Sequence, residues 1–124
     1  MVAQTSADIG RLRAYTRALA SGRRLRILGV IAENHSLTVA ELSELVSISQ
    51  PLVSWHLRRL RGIGLVERRR AGREVRYSLA PGQMLAEHGY LTEYIEHIAG
   101  FGTDGRTAKA KLVRRRMSAN KAGR

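Results

Sequence analysis

Apolar residues recur at helical spacing in the first half of the chain, and the pattern then switches to alternation. Residues 6–20 carry Ile9, Leu12, Tyr15 and Leu19 three or four positions apart, which predicts a first helix ended by Ser21-Gly22. Over residues 23–34, Leu25, Leu28, Ile31 and Ala32 share a face, with Ile27 and Val30 beside them. So wide an apolar arc predicts a central core helix. After a turn at Asn34-His35-Ser36, Thr38 with Glu41 three residues later has the form of a capping box. Val39, Leu42, Leu45 and Val46 then give a short third helix its buried face. Ser47-Ile48-Ser49 is a turn into a fourth helix, with Ser49 able to cap it, Pro51 tolerated in its first turn, and Val53, Leu57 and Leu60 as its apolar stripe. Gly62 and Gly64 stop it.

There the period changes. Leu65, Val66 and Glu67 open a strand, and Val75, Tyr77 and Leu79 alternate with Arg76 and Ser78 in a second. Between them Arg68-Arg69-Arg70-Ala71-Gly72-Arg73 reads as the hairpin loop. Pro81-Gly82 starts a last helix, with Met84, Leu85, Tyr90, Leu91, Tyr94, Ile95 and Ile98 at helical spacing up to Gly100, followed by a loop to Gly105. The predicted fold is mostly α with a β-hairpin (α+β): helix, helix, short helix, turn, helix, hairpin, helix.

That order describes a winged helix-turn-helix, with residues 49–79 as recognition helix and wing. Opposite the Val53/Leu57/Leu60 stripe stand Gln50, Ser54, Trp55, Arg58 and Arg61. Gln can read adenine with two hydrogen bonds, and Ser can contact several base edges. Trp55 has two readings: an aromatic packed at the helix edge, or a flat apolar contact with thymine methyls or sugar. Arg58, Arg59 and Arg68 would position the protein on the phosphate backbone, and Arg70 and Arg73 would reach phosphates or the adjacent minor groove. The plainer alternative for the hairpin is a solvated loop whose arginines serve solubility.

Charge strengthens the first reading. The 124 residues carry a net charge of +12. Residues 49–79 hold eight Arg against Glu67 and Glu74, and residues 104–124 hold eight Lys or Arg against Asp104. Residues 80–103 carry Glu87, Glu93 and Glu96 with no Lys or Arg. Basic charge concentrated on the reading head and the tail is an electrostatic footprint for nucleic acid. Length predicts one domain, residues 1–100, followed by a basic disordered tail, residues 101–124. No cysteine means no disulfide and no thiolate ligand. No apolar run suits a signal peptide or a membrane span, so a cytoplasmic protein is expected. No nucleophile–base pairing, paired-carboxylate motif or phosphate loop suggests an enzyme.

The chain resembles the ArsR/SmtB family of dimeric bacterial winged-helix repressors over about residues 12–98. The resemblance rests on LASGRRLRIL (Leu19–Leu28), LTVAELSELVSISQPLVSWHLRRLRGIGLV (Leu37–Val66) and GREVRYSL (Gly72–Leu79). It implies that Gln50, Pro51, Ser54 and Trp55 face the major groove, with Ser49 beside them. Many relatives carry His or Arg where this chain has Trp55. The resemblance also directs attention to metal sensing. One cysteine set of the family falls on Thr38, Ala40 and Ser43, and the other ligand set falls on Pro81, Gln83, Tyr94 and His97, of which only His97 could ligate. Glu87, His88, Glu93, Glu96 and His97 cluster on the last helix, but His88 and His97 are nine residues apart, which is not a same-face metal spacing, so a site would have to be assembled across subunits. No metal or cofactor is therefore expected, and the effector is left open.

The last helix has no evident seat in a core that the other elements already close. An apolar helix left over in a small domain buries itself against a second subunit. Leu91, Tyr94, Ile95 and Ile98, with Leu12 and Tyr15 of the first helix, are the expected homodimer interface. The function expected is sequence-specific binding of double-stranded DNA at a pseudo-palindromic operator, repressing transcription by occluding a promoter. The alternative is an architectural, chromosome-associated protein with little sequence preference.

Overall fold

The computed structural model describes residues 5–104 and 108–122. Its elements are α1 (Ser6–Leu19), α2 (Gly22–Asn34), β1 (Ser36–Leu37), α3 (Val39–Val46), α4 (Gln50–Gly62), β2 (Val66–Ala71), β3 (Glu74–Leu79), α5 (Pro81–Asp104) and α6 (Ala108–Ala122). Three N-termini are fixed by side-chain caps. Thr5 and Asp8 make a capping box on α1, the Ser21 hydroxyl accepts from the Arg24 amide on α2, and Thr38 and Glu41 make the expected box on α3.

The core lies where α2, α3, α4 and the base of the hairpin meet. Ile27 and Ile31 of α2, Leu42 and Val46 of α3, Val53, Leu57 and Leu60 of α4, and Leu65 and Val66 are essentially sealed from solvent. The expected inner faces of two helices are turned from this. On α2, Ile27 and Ile31 lead into the core, Leu28 is buried beside them, Leu25 is 51% exposed and Ala32 is exposed. On α3, Leu45 is 49% exposed. A wide apolar arc fixes the direction of burial only loosely, and the packing of α2 against α3 and α4 selects the Ile27/Ile31 line.

The hairpin corrects the sequence reading most. β2 runs through Arg68, Arg69, Arg70 and Ala71, so these residues belong to a strand and not to a loop. The register pairs Ala71 with Glu74, leaving Gly72-Arg73 as a two-residue turn. Gly72 has φ +65 and no positive φ occurs at Arg73, the pattern of a type II′ turn, which matches strand twist. Ser36, expected to close a turn, and Leu37 form a short third strand antiparallel to β3, giving the order β1-β3-β2.

The C-terminal region differs as well. α5 continues past Gly100 to Asp104, where a loop was expected. Much of the segment expected to be disordered, 101–124, is helical, since α6 covers Ala108–Ala122. Ala, Lys, Arg, Leu and Met are strong helix formers, and that propensity outweighs the like charges. Leu112, Val113 and Met117 on α6 are exposed. Arg106 and Arg124 lie outside the described residues. No helix among the described residues is long and apolar enough to cross a membrane.

α5 is better seated than its sequence suggested. Met84 and Leu91 pack on the core, and α5 is tied to α1 by polar bonds. Arg11 Nε lies 3.2 Å from Glu87 Oε2, Tyr90 donates to Asp8, and the Tyr15 hydroxyl meets His88 Nδ1 at 3.1 Å. Leu12 and Tyr15, expected at a subunit interface, are instead buried within this chain, Tyr15 in the main core.

Gly64 closes the turn between α4 and β2 with φ +79, and a Cβ there would stand 2.8 Å from Gln83 Cγ of α5. Gly64→Ala is therefore expected to lower unfolding free energy by about 1–2 kcal/mol through left-handed strain alone. Urea titration at fixed protein concentration checks this. An unchanged midpoint would mean that this turn is not strained.

Candidate nucleic-acid interface

α4 presents one buried and one solvent face. Val53, His56, Leu57 and Leu60 face inward, while Gln50, Pro51, Trp55, Arg58, Arg59 and Arg61 are exposed and Ser54 is half-buried. A tight turn launches the helix: Ser47 is left-handed at φ 55, and the Ser43 hydroxyl donates to the Ile48 carbonyl. Ser49 occupies the N-cap position, but its side chain makes no capping bond. Pro51 explains part of this, because a proline in the first turn removes one of the amides a cap would accept from. The Ser49 backbone carbonyl still accepts from the Val53 amide at 2.9 Å.

The wing aims at this helix. Opposite residues of an antiparallel pair share a face, so Arg68 and Arg70 stand with their partners Tyr77 and Val75. Near the base that face is apolar, with Val66 and Leu79; toward the tip it is cationic. Arg68 and Tyr77 line a small cavity of about 180 Å³ together with Ser54, Arg58 and Arg61 of α4. Recognition helix and wing thus converge on one cationic groove. Arg61 belongs to that groove; its place opposite the apolar stripe was the signal for it. Arg73 is exposed at the tip.

Arg69 and Arg76 look the other way. They line a separate hollow with Ser36, Ala71 and Ser78. Arg76 Nη1 lies 2.9 Å from Glu74 Oε2 and 3.4 Å from Glu41 Oε1, and Arg76 also donates to the Ser36 carbonyl. That arginine is a brace between wing, β1 and α3. Bonds from the Thr38 amide and hydroxyl, then the Arg76 charge, hold the Glu41 carboxyl below its ordinary pKa.

Trp55 packs at the helix edge and keeps part of its ring open to solvent. It is 41% exposed, yet its ring lies edge-on to His56 at 5.0 Å, and the Arg59 guanidinium sits 4.4 Å above it. His56 is buried, its Nδ1 lies 3.5 Å from Arg24 Nη1, and its Nε2 finds no hydrogen-bond partner among the described residues. Burial first, then the charges of Arg24, Arg23 and Arg59, push its pKa down.

Two of the acidic and histidine residues of α5 are engaged in packing, while Glu93 and Glu96 are exposed. Glu87 is held by Arg11 and Gln83, and His88 by Tyr15. Among the described residues no group of three His, Asp or Glu is placed to hold a metal ion.

Residues 21–68, from the α2 cap into β2, match the family model described as "Bacterial regulatory protein, arsR family". The chain is 42% identical over 82 residues to the HTH-type transcriptional regulator NmtR of Mycobacterium tuberculosis, covering 64% of this chain and 68% of that one. This protein belongs to the ArsR family. It is accordingly a sequence-specific DNA-binding transcriptional regulator and not an enzyme. It is also 44% identical over 64 residues to the transcriptional repressor SmtB of Mycobacterium tuberculosis, covering 52% of this chain but only 47% of SmtB. Among solved structures, the Mycobacterium bovis Mb0332 domain, described as a homodimeric winged helix-turn-helix DNA-binding domain, has the same fold. Its TM-score is 0.60 at 23% identity, over 86% of this chain and 97% of that one.

The depressed His56 pKa sets a pH dependence. The unfolded chain takes up a proton at His56 near the ordinary value of 6.5, and the folded chain only at lower pH. Stability from this site is therefore complete above that value and lost as pH falls below it. Comparing urea midpoints at about pH 7.5 and about pH 5.5 should show a larger acid loss for the unaltered protein than for His56→Leu. Equal losses would remove His56 from the account.

Proposed function

We propose that this ArsR-family regulator acts as a homodimeric repressor that reads a pseudo-palindromic operator through α4 and excludes polymerase from the promoter beneath it. The observation that carries this reading is the shared groove of α4 and β2, with Ser54, Arg58, Arg61 and Arg68 lining one hollow. Gln50, Ser54 and the edge of Trp55 are the base-reading groups, with Ser49 and Pro51 at the mouth of the helix. Arg58, Arg59, Arg68, Arg70 and Arg73 hold phosphates. Short polar side chains flanked by arginines suit direct readout positioned by backbone contacts. A chromosome-binding repressor of this kind works in the bacterial cytoplasm.

Dimerisation is supported by the apolar surface of the outer helices. Ile9 of α1 and Leu85, Ile95 and Ile98 of α5 are exposed large apolar residues, with Tyr94 half-buried beside them. Leu91 sits deeper, against the core. Burying this strip on a two-fold partner removes it from water and sets two recognition helices about one DNA turn apart. The basic helix α6 adds affinity without sequence preference.

Two experiments test the reading. Gln50→Ala and Ser54→Ala should each weaken binding to a selected operator by about 1–3 kcal/mol while random duplex binding stays nearly intact. Equal losses on both duplexes would take these residues out of base readout. Ile95→Glu with Ile98→Glu should sediment as a monomer and lose tight operator binding, because charge on that strip opposes its burial. A double variant that still sediments as a dimer would place the interface elsewhere.

A further inference from the structure

On the side of α4 away from the wing, a second cationic hollow opens. It measures about 370 Å³ and is lined by Arg17 and two alanines of α1, Arg24 of α2, Trp55 and Arg59 of α4, and Ile63 just past its end. The three arginines come from three helices. Among the described residues, no ion pair joins any of them to a carboxylate. Their arrangement is nevertheless built. Arg24 donates from Nε to the Ala18 carbonyl at 2.7 Å and from Nη2 to the Arg17 carbonyl at 2.9 Å, so its guanidinium is anchored to the C-terminal turn of α1. The Arg24 guanidinium also lies 5.9 Å and that of Arg59 4.4 Å from the Trp55 ring centre, which gives both a common shelf. Three arginines lining one hollow, with no carboxylate paired to them among the described residues, make a site for an oxyanion.

The position of the hollow selects which oxyanion. A helix about 10 Å across fills a major groove about 12 Å wide, so phosphates of both strands run alongside it. The wing and the Ser54–Arg58–Arg61 side of α4 face one strand. Trp55 and Arg59 lie on the other side of the helix, where the Arg17/Arg24 hollow extends the surface outward.

We propose that Arg17, Arg24 and Arg59 form a second phosphodiester-binding site, holding the DNA strand that borders the recognition helix on the side away from the wing. Trp55 is its floor and keeps the guanidiniums in place. This inference rests on the DNA-binding face described under Proposed function. It adds α1 and α2 to that face, so that the helix is clamped from both flanks. A free oxyanion such as inorganic phosphate has the same chemistry and is the competing occupant.

Arg17→Ala is the deciding variant. Arg17 is exposed, and its carbonyl, which holds Arg24, survives the substitution. Salt titrations of the full chain on selected operator and random duplexes should show the slope of log K against log salt fall in magnitude by about 0.9 per lost phosphate contact in each protomer. Affinity should fall equally on both duplexes, and Arg17→Lys should retain the slope. If Arg68→Ala lowers the slope and Arg17→Ala does not, the wing-side face stands and the second site is wrong. If neither lowers it, the DNA face itself is misplaced. The single tryptophan supplies a second arm, since fluorescence reports on Trp55 alone. A saturable response of the DNA-free protein to inorganic phosphate, lost in Arg17→Ala while the duplex slope is unchanged, would assign the site to a free anion and overturn the proposal.

Discussion

Burial of Val53, Leu57 and Leu60 fixes the direction of every side chain on the outer face of α4. These three residues are sealed against Ile27 and Ile31 of α2, Leu42 and Val46 of α3, and Leu65 at the base of the wing. Each contributes about 1.5–3 kcal/mol relative to exposure, so rotating α4 about its axis is strongly disfavoured. With the inner face fixed, Gln50, Ser54, Arg58 and Arg61 must point outward. The outward direction of these side chains is a consequence of core packing one helix-width away. The α3–α4 turn adds the second constraint, because left-handed Ser47 and the Ser43–Ile48 hydrogen bond set the angle at which α4 leaves the core.

The wing shows the same dependence in a sheet. Period-2 alternation ties the cationic face of β2 to its apolar base: Val66 is buried, so Arg68 and Arg70 must share its side. A slip of one residue would send Arg69 toward α4 and Arg68 toward Glu41 and Ser36. The register is held by the type II′ turn at Gly72-Arg73 and by Arg76, whose bonds to Ser36, Glu41 and Glu74 fasten the opposite face to β1 and α3. Arg76 is thus an arginine of the wing that serves structure, while Arg68 on the neighbouring strand faces α4 across the shared hollow, where the proposed reading places DNA.

Much of this was legible because local rules and the fold agree. Thr38 and Glu41 announced α3, Gly62 and Gly64 announced the end of α4, and the Val53/Leu57/Leu60 stripe assigned both faces of the recognition helix. The misreadings have separate physical causes. Arg68, Arg69 and Arg70 read as loop in sequence because charge masks strand character when only the base of a hairpin is buried. Leu25 and Leu45 were placed inside because an apolar residue beside a core face need not be part of it. Tyr15 was given to a partner subunit because its seat depends on α5, whose hydrogen bonds to α1 span more than seventy positions of sequence. Helical structure in 108–122 is hidden by the run of like charges, which helix propensity outweighs. The cluster of Arg17, Arg24 and Arg59 is legible only in three dimensions, since its members come from different helices.

The central claim is that α4 lies in the major groove of two half-sites related by a two-fold axis. Dimethyl sulfate protection on a selected operator reads this directly, because guanine N7 lies in the major groove and adenine N3 in the minor. The account predicts guanine N7 protection in two patches about 10 base pairs apart, centre to centre, or a multiple of that spacing, with protection in both patches weakened by Gln50→Ala. Protection confined to adenine N3, or one patch without a symmetric partner, would contradict it.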